Sequence, residues 1–283
     1  MRIDLHVHSN ASDGTSTPAE VVAEAVDAGL DVMALTDHDT TAGWAPAIAA
    51  RPAGLTLVPG AELSCRWYGG SVPISLHLLA YLFDPADPAL NAELARVRSA
   101  RETRAERMVN LLRADGLDLT WDEIRDHAAG GTVGRPHLAR ALIRRGLVNT
   151  VAEAFDTHWL GERYRVPKED IEVFNALRLV LDAGGVPVFA HPRASLRGPI
   201  VPDELIVDLA GEGLFGLEAD HEDHSPLERE HVRRIAAGLG LVVTGSSDYH
   251  GANKTVRLGT YTTSVSAYEQ IVAAASGFVP VGG

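Results

Sequence analysis

Polar and apolar residues alternate from Arg2 to Val7, with Ile3, Leu5 and Val7 on one side and Asp4, His6 and His8 on the other. Residues two apart in a strand share a face, so the segment predicts a half-buried strand with three metal-binding side chains in line. Asp13 follows in a Ser/Asp/Gly turn. The period then lengthens. Thr17 and Pro18 open a helix, Glu20 sits in its first turn, Val21, Val22, Ala25, Val26 and Ala28 form its apolar face, and Gly29 ends it. Asp31–Thr36 is a short apolar strand running into Asp37-His38-Asp39. Strand, helix and buried strand in succession predict a parallel β/α arrangement.

The rhythm continues with an Ala-rich helix over Trp44–Ala50 and a strand over Leu55–Val58, after which Pro59-Gly60-Ala61-Glu62 places an acid beyond the strand end. Ile74–Leu82 is a strongly apolar strand with His77 in its middle. From about Asn91 to Ile171 the pattern changes. Arg96, Arg98, Arg101, Glu102, Arg104, Glu106 and Arg107 crowd one stretch, and Val109, Leu111 and Leu112 recur at helical spacing. Trp121–His127, Arg135–Arg145 and Thr150–Leu160 also read as helices. A stretch of roughly 75–80 residues without a strand is too long for a loop. The chain therefore divides into a β/α body over 1–90 and 172–283 and a helical insertion over 91–171 forming part of a substrate cleft.

Within the insertion, Gly130, Gly131 and Gly134 precede Arg135-Pro136-His137, and Pro136 suits a first helical turn. Arg135 at the helix mouth is placed to hold a phosphate in bidentate fashion, with Lys168 a weaker partner; the plain alternative is a surface arginine and a capping histidine. Beyond it a helix covers Val173–Ala183, a strand Val186–Ala190 ends at His191-Pro192-Arg193, and Leu205–Ala210 is helical. A strand over Leu214–Ala219 carries Glu218, the acidic loop His221–His224 follows, Leu227–Leu239 is a helix, and strand Leu241–Gly245 runs into Ser246-Ser247-Asp248-Tyr249-His250.

Composition narrows the classes. The chain has 283 residues, enough for one large domain or a domain with an insert, and 46% hydrophobic residues mark it as globular. No apolar run approaches the roughly 20 residues a membrane helix needs, no secretory signal is visible, and a single Cys65 fits a reducing cytoplasm. A net charge of −13 argues against a broad duplex-binding surface. It leaves room for a small anionic substrate, because divalent cations reverse the field of a carboxylate-lined site.

Each candidate ligand has an ordinary reading by itself: His-x-His as a half-exposed strand, Asp-His-Asp as a turn, His77 as a core histidine. Together His6, His8, Asp13, His38, Glu62, His77, His191, Asp248 and His250 follow successive strands, and a closed sheet gathers such positions into one cleft. Imidazoles with carboxylates select zinc, manganese or iron, and nine ligands exceed one tetrahedral ion.

These residues carry a resemblance. Asp4-Leu-His-Val-His-Ser9, Thr36-Asp-His-Asp39, Gly60-Ala-Glu62, His77, Ala190-His-Pro192 and Ser247-Asp-Tyr-His250 resemble the PHP (polymerase and histidinol phosphatase) family in order across nearly the whole chain. Ser12-Asp-Gly14, the insertion and Gly134-Arg-Pro-His137 resemble its branch of nucleoside 3',5'-bisphosphate phosphatases and short-RNA 5'-3' exonucleases. The resemblance implies an α/β fold, a distorted (β/α)7 barrel of seven parallel units, and two or three divalent ions (Mn, Zn or Fe). It implies His6, His8, Glu62 and Asp248 around a first ion, Glu62 with His77 and His191 around a second, and Asp13, His38 and His250 around a third. Asp4 and Asp37 would stand behind the ligands, each orienting an imidazole through its other ring N–H.

The expected reaction is phosphomonoester hydrolysis by an in-line water activated between metals, with Glu62 and Asp248 at the centre and Arg193, Arg135 and Lys168 neutralising phosphate oxygens. His221 or His224 is a candidate acid for the leaving group, and Trp159, Tyr164 or Tyr249 a candidate platform for a base. His137 joins the substrate-binding set through its motif. The expected partner is a small phosphorylated nucleotide or short oligonucleotide, with 3'-phosphoadenosine 5'-phosphate cleaved at the 3' position the leading case. Short-RNA exonuclease, histidinol phosphatase and a non-catalytic PHP scaffold are the alternatives.

Overall fold

The computed structural model describes residues 1–127 and 133–282; Gly130 and Gly131 of the expected glycine-rich turn lie outside them. Eight strands, β1 Ile3–Val7, β2 Val32–Leu35, β3 Thr56–Trp67, β4 Ile74–Tyr81, β5 Ile171–Glu172, β6 Val186–Ala190, β7 Gly216–Asp220 and β8 Val242–Gly245, form one sheet. Its order is β1-β2-β3-β4-β6-β7-β8, with β5 pairing β3 off this path. Val7 bridges Tyr249 just beyond β8, and the His8 N–H donates to Tyr249 O at 2.9 Å, so the first and last strands approach closure.

Seven strands thus line the path, but one runs backwards. β4 is antiparallel to both β3 and β6. Only residues 68–73 separate β3 from β4, too few for the crossover that a parallel pair requires. The reversal matters for the site. His77 lies in the first half of β4 and pairs with Ser64 and with Ala190, the last residue of β6, toward the edge of the sheet where the parallel strands finish. Glu62 also differs from expectation: β3 continues through Pro59 and Gly60 to Trp67, so Glu62 lies within a strand.

Among the described residues there are ten α-helices: α1 Pro18–Asp27, α2 Trp44–Ala50, α3 Pro88–Ala114, α4 Trp121–His127, α5 Arg135–Arg144, α6 Val151–Ala154, α7 Val173–Asp182, α8 Asp203–Gly211, α9 Pro226–Leu239 and α10 Val265–Ala274. Thr17 and Glu20 cap α1 reciprocally, as Ser225 and Glu228 cap α9, so both starts are written in the sequence. The expected helix over Thr150–Leu160 is shorter. α6 stops at Ala154, and the wide turn Thr157–Gly161 follows, with Trp159 at a non-helical φ of −121° and ψ of −127°.

Leu5, Val32, Val58, Leu79, Tyr81 and Val188 fill one core cluster of the sheet. The insertion has its own, built on Met108, Leu112, Ile124, Leu138, Leu142 and Leu160. α3 joins the two: Leu90, Leu94 and Val97 pack with the barrel, while Ala105 to Leu112 pack in the insertion. Among the described residues no helix is long and apolar enough to cross a membrane.

Candidate metal centre

His6 and His8 leave β1 on the same face, fully buried. Their Nε2 atoms are 3.0 Å apart. Glu62 Oε2 lies 3.2 Å from His6 Nε2, 3.1 Å from His8 Nε2 and 3.2 Å from His38 Nδ1. Its other oxygen lies 2.8 Å from His77 Nδ1 and 3.1 Å from His191 Nε2. Asp248 Oδ1 is 3.4 Å from both β1 imidazoles. Asp13 Oδ1 is 3.3 Å from His250 Nε2, and Asp13 Oδ2 is 3.8 Å from His38 Nε2.

All nine expected ligands therefore meet. Eight of them form three overlapping groups whose donor atoms lie within 4.8 Å of one another: His6, His8, Glu62 and Asp248; His38, Glu62 and His77; and His8, Asp13, His38 and His250. The first matches the set implied by resemblance. In the second, His38 stands where His191 was expected; His191 Nε2 faces Glu62 but also lies 3.2 Å from Arg197 Nη1.

The donor set fits divalent cations. Among the described residues, His8 Nδ1, His38 Nδ1, His77 Nδ1 and Asp248 Oδ1 are buried without a well-directed hydrogen bond, a costly state that a shared cation relieves. Electrostatics point the same way. Burial pushes the Glu62 carboxyl up, yet His77, His38 and His6 more than offset this and hold it well below its usual range. Burial opposes charge on His8 too, but Asp248 and Glu62 lift it to about 9. The carboxylates demand positive charge at this point, and in a bare site protons supply it. His191 and Asp248 also hold left-handed backbones, at φ of 32° and 51°, uncommon for such residues and often found at functional sites.

Glu218 stands behind the cluster and supports it. It is fully buried in β7, accepts from His6 Nδ1 at 3.1 Å and from the His191 N–H at 2.8 Å, and is bonded by Ser246 Oγ. A carboxylate behind an imidazole fixes its ring and tautomer. Asp4 and Asp37 act differently from expectation: neither bonds an imidazole ring. Asp4 accepts from the backbone of Ser247 and Gly259, and Asp37 from Ser9 N, Ser9 Oγ and Ser12 Oγ. They pin the ligand-bearing loops because the turns after β1 and β8 leave backbone donors that need buried acceptors.

A cleft of about 590 Å³ opens at this cluster, and Asp13, His38, His77 and His191 are among its lining residues. Arg101, Arg104, Arg135 and Lys168 line it from the insertion side, and Leu196, Pro199 and Ile200 form an apolar rim. Burial and the neighbouring arginines push Lys168 down to about 8 and Arg104 to about 9. Such mutual depression marks cations gathered with too few anions.

Arg193 is not among the lining residues. Its Nη1 donates to Val201 O at 2.6 Å and its Nη2 bonds Asp203, so it braces its own loop. Arg197, four residues on, takes the expected place: it lines the cleft and its Nη2 is 2.7 Å from Asp248 Oδ2. His137 is buried, and its Nδ1 accepts the Gly134 N–H at 2.9 Å, which makes it the cap of α5. His224 is likewise committed, Nδ1 to Ala219 O and Nε2 to the Arg193 N–H, and has no free nitrogen for an acid role. His221 stays close, its Nε2 3.2 Å from Asp248 Oδ2. None of Trp159, Tyr164 and Tyr249 lines the cleft; Phe155 and Phe189 do. Arg101, Arg104 and Arg197 sit in helical or loop runs with no distinguishing pattern, so sequence gave no reason to prefer them over other arginines.

The PHP domain matches residues 4–98, the segment holding His6, His8, Asp13, His38, Glu62 and His77. A "5'-3' exoribonuclease" of Haemophilus influenzae is 34% identical over 261 residues, covering 91% of this chain and 93% of that protein. The chain belongs to the PHP family. A "3',5'-nucleoside bisphosphate phosphatase" of Chromobacterium violaceum is 34% identical, covering 88% of this chain and 87% of its own length. In three dimensions this PHP protein is similar to the crystal structure of a candidate metal-dependent phosphoesterase from Bifidobacterium adolescentis, with a TM-score of 0.89, 35% identity, and 97% and 96% of the two chains covered. The PHP chain is a metal-dependent phosphoesterase.

Proposed function

We propose that this enzyme hydrolyses the 3'-phosphate of nucleoside 3',5'-bisphosphates, holding two or three divalent ions through His6, His8, Asp13, His38, Glu62, His77, Asp248 and His250, with His191 alongside. The observation that carries the reading is the shared cleft: Asp13, His38 and His77 of the metal-binding groups line the same cavity as four cations, Arg101, Arg104, Arg135 and Lys168. In a chain of net charge −13, four cations turned into one cavity are matched by a substrate with a second anionic group. Bound ions supply Lewis acidity toward the phosphoryl group and make water a nucleophile at neutral pH.

The chain's own groups do the rest. Glu62 offers one oxygen to each side of the cluster and sets the spacing of its histidines. Arg197 presents a guanidinium beside Asp248, where it can neutralise equatorial phosphate oxygens. Arg135 and Lys168 face the retained phosphate, and the rim of Leu196, Pro199 and Ile200 offers apolar surface to the nucleoside. Histidinol phosphate, which carries cationic groups on its organic part, would meet repulsion from the same wall. An intact ligand set speaks against a scaffold that has lost catalysis.

One observation favours the second reading, 5'-3' exonuclease on short RNA. Ala100, Arg104 and Glu169 line both the cleft and a neighbouring groove bordered by Arg96, Arg107 and Val166, so the cationic lining continues outward and has room for a further nucleotide. Phosphate release from manganese-loaded protein with adenosine 3',5'-bisphosphate, 5'-AMP, histidinol phosphate and 5'-phosphorylated RNA, against a His8→Ala blank, tests the choice. Preference for the bisphosphate supports the proposal. Stepwise mononucleotide release from RNA with a slow bisphosphate reaction replaces it by the second reading.

A further inference from the structure

The group His8, Asp13, His38 and His250 differs from the others in what carries it. His6 and His8 leave β1 and Glu62 lies within β3, but Asp13 stands in the loop between β1 and α1, and His250 in the loop after β8. Asp13 Oδ1 and His250 Nε2 face each other at 3.3 Å across these two loops. Loop-borne ligands hold a geometry only where neighbouring contacts order them. The His250 ring is set locally: its Nδ1–H donates to Asp248 O at 2.8 Å, which leaves the Nε2 lone pair turned to Asp13. The loops themselves need another restraint.

A carboxylate outside the ligand set supplies it. Glu24, on α1, accepts the Ser16 hydroxyl through Oε1 at 2.9 Å and the Tyr249 hydroxyl through Oε2 at 2.6 Å. Ser16 follows Asp13 by three residues, and Tyr249 lies between Asp248 and His250. Two further bonds cross the same seam. Asn253 Nδ2 donates to Asp13 O at 2.7 Å, and the Ala252 N–H donates to Thr15 Oγ1 at 2.9 Å. The seam is close enough to demand glycine. Gly251 has a left-handed φ of 64°, and a Cβ there would collide with Thr15 Oγ1. Each Glu24 oxygen is bonded to a loop residue rather than to a ligand, so Glu24 acts through the loops.

We infer that Glu24 is a positioning residue for the ion site of Asp13, His38 and His250, with Asn253 beside it: together they clasp the two loops so that Asp13 and His250 meet. The other ligands do not depend on this clasp. His6, His8 and Glu62 stand on or next to strands, and Asp248 is held through Oδ2 by Arg197 at 2.7 Å and His221 at 3.2 Å. Loosening the clasp therefore costs one ion and not the whole cluster. The inference rests on the metal reading of the cluster and not on the choice of substrate.

The test counts manganese bound per chain by elemental analysis, after equilibrium dialysis of chelator-stripped full-length protein across a manganese series. It compares wild type with Glu24→Ala, Glu24→Gln, Asn253→Ala and Gly251→Ala, and uses Asp13→Asn to mark the binding step that belongs to this site. Wild type is expected to fill three sites, one for each ligand group, and Asp13→Asn to lose one. Glu24→Ala and Asn253→Ala should raise the manganese needed for that same step about 10- to 100-fold, with the other two midpoints unmoved. Glu24→Gln keeps the length and one acceptor oxygen and recovers part of the loss. Gly251→Ala, which pries the loops apart without touching Glu24, reproduces it. Equal weakening of all three steps marks a general structural role and overturns the inference. So does a third step unmoved in both Glu24→Ala and Asn253→Ala, or a wild type that binds no more than two ions. If Glu24→Ala does not fold, Glu24→Gln and Asn253→Ala decide. The product formed from adenosine 3',5'-bisphosphate bears on the substrate reading alone, so the two fail separately.

Discussion

Glu218→Gln changes one atom in a buried side chain and probes how the ligand cluster is supported. One carboxylate oxygen takes the His6 Nδ1–H at 3.1 Å and the Ser246 hydroxyl; the other takes the His191 N–H at 2.8 Å. Both oxygens are acceptors, so an amide must turn its NH2 toward a donor on one side. If it faces His191, a buried backbone bond is lost; if it faces His6, the imidazole loses its orienting partner. The charge goes too: burial pushes the Glu218 carboxyl up, but His6 overrides this and holds it far below the usual range, so the wild-type residue is ionised at neutral pH. Leaving one buried donor unpaired costs about 1–3 kcal/mol, and losing a carboxylate behind a metal-binding imidazole weakens metal affinity about 10- to 100-fold. In a titration of stripped protein with manganese, half-maximal activity should move up by that factor, with saturating kcat changed far less. An unmoved manganese midpoint would refute the assignment of Glu218 as the support of His6.

Three further outcomes follow from the same geometry. Lys168 is charged only below its value of about 8, and its charge is what would attract phosphate, so KM for the bisphosphate should rise as pH climbs through 8 to 9. Arginine keeps its charge throughout this range, so Lys168→Arg should abolish the rise or move it to higher pH in a pH series of initial rates. His224→Ala removes two buried backbone bonds, from Arg193 N and to Ala219 O, so denaturant unfolding should show a loss of about 2–3 kcal/mol while the manganese midpoint stays put. Arg193→Gln breaks contacts that brace its own loop and should lower thermal stability, whereas Arg197→Gln should lower kcat with less effect on stability.

The barrel was legible because its information is local. Alternation in β1, the capping residues of α1 and α9, and apolar runs ended by polar clusters each report on a few neighbouring residues. The meeting of the nine candidate ligands was legible for the same reason: each follows or interrupts an apolar run, and the family motifs fix their order. The antiparallel β4 was readable in principle from the short 68–73 connection, but His77 inside an apolar run gave no sign of which edge it would occupy. What escaped depended on side-chain direction. Arg193 and Arg197 differ by one turn of irregular backbone, and nothing in His-Pro-Arg-Ala-Ser-Leu-Arg says that the first guanidinium turns inward to Asp203. His137 has a buried nitrogen spent on its own helix start, a local use that its motif conceals. Asp39 and Arg101 lie 62 positions apart, and their pairing exists only once α3 crosses from barrel to insertion.

If the bisphosphate reading holds, the cleft cuts one phosphate at the histidine–carboxylate cluster and retains the other on its cations. The most direct measurement is the identity of the nucleotide released from adenosine 3',5'-bisphosphate by manganese-loaded enzyme, resolved by chromatography against both monophosphates. The expected product is 5'-AMP with one equivalent of inorganic phosphate, abolished by chelator and restored by manganese. Release of 3'-AMP, or hydrolysis that persists without metal, would contradict it.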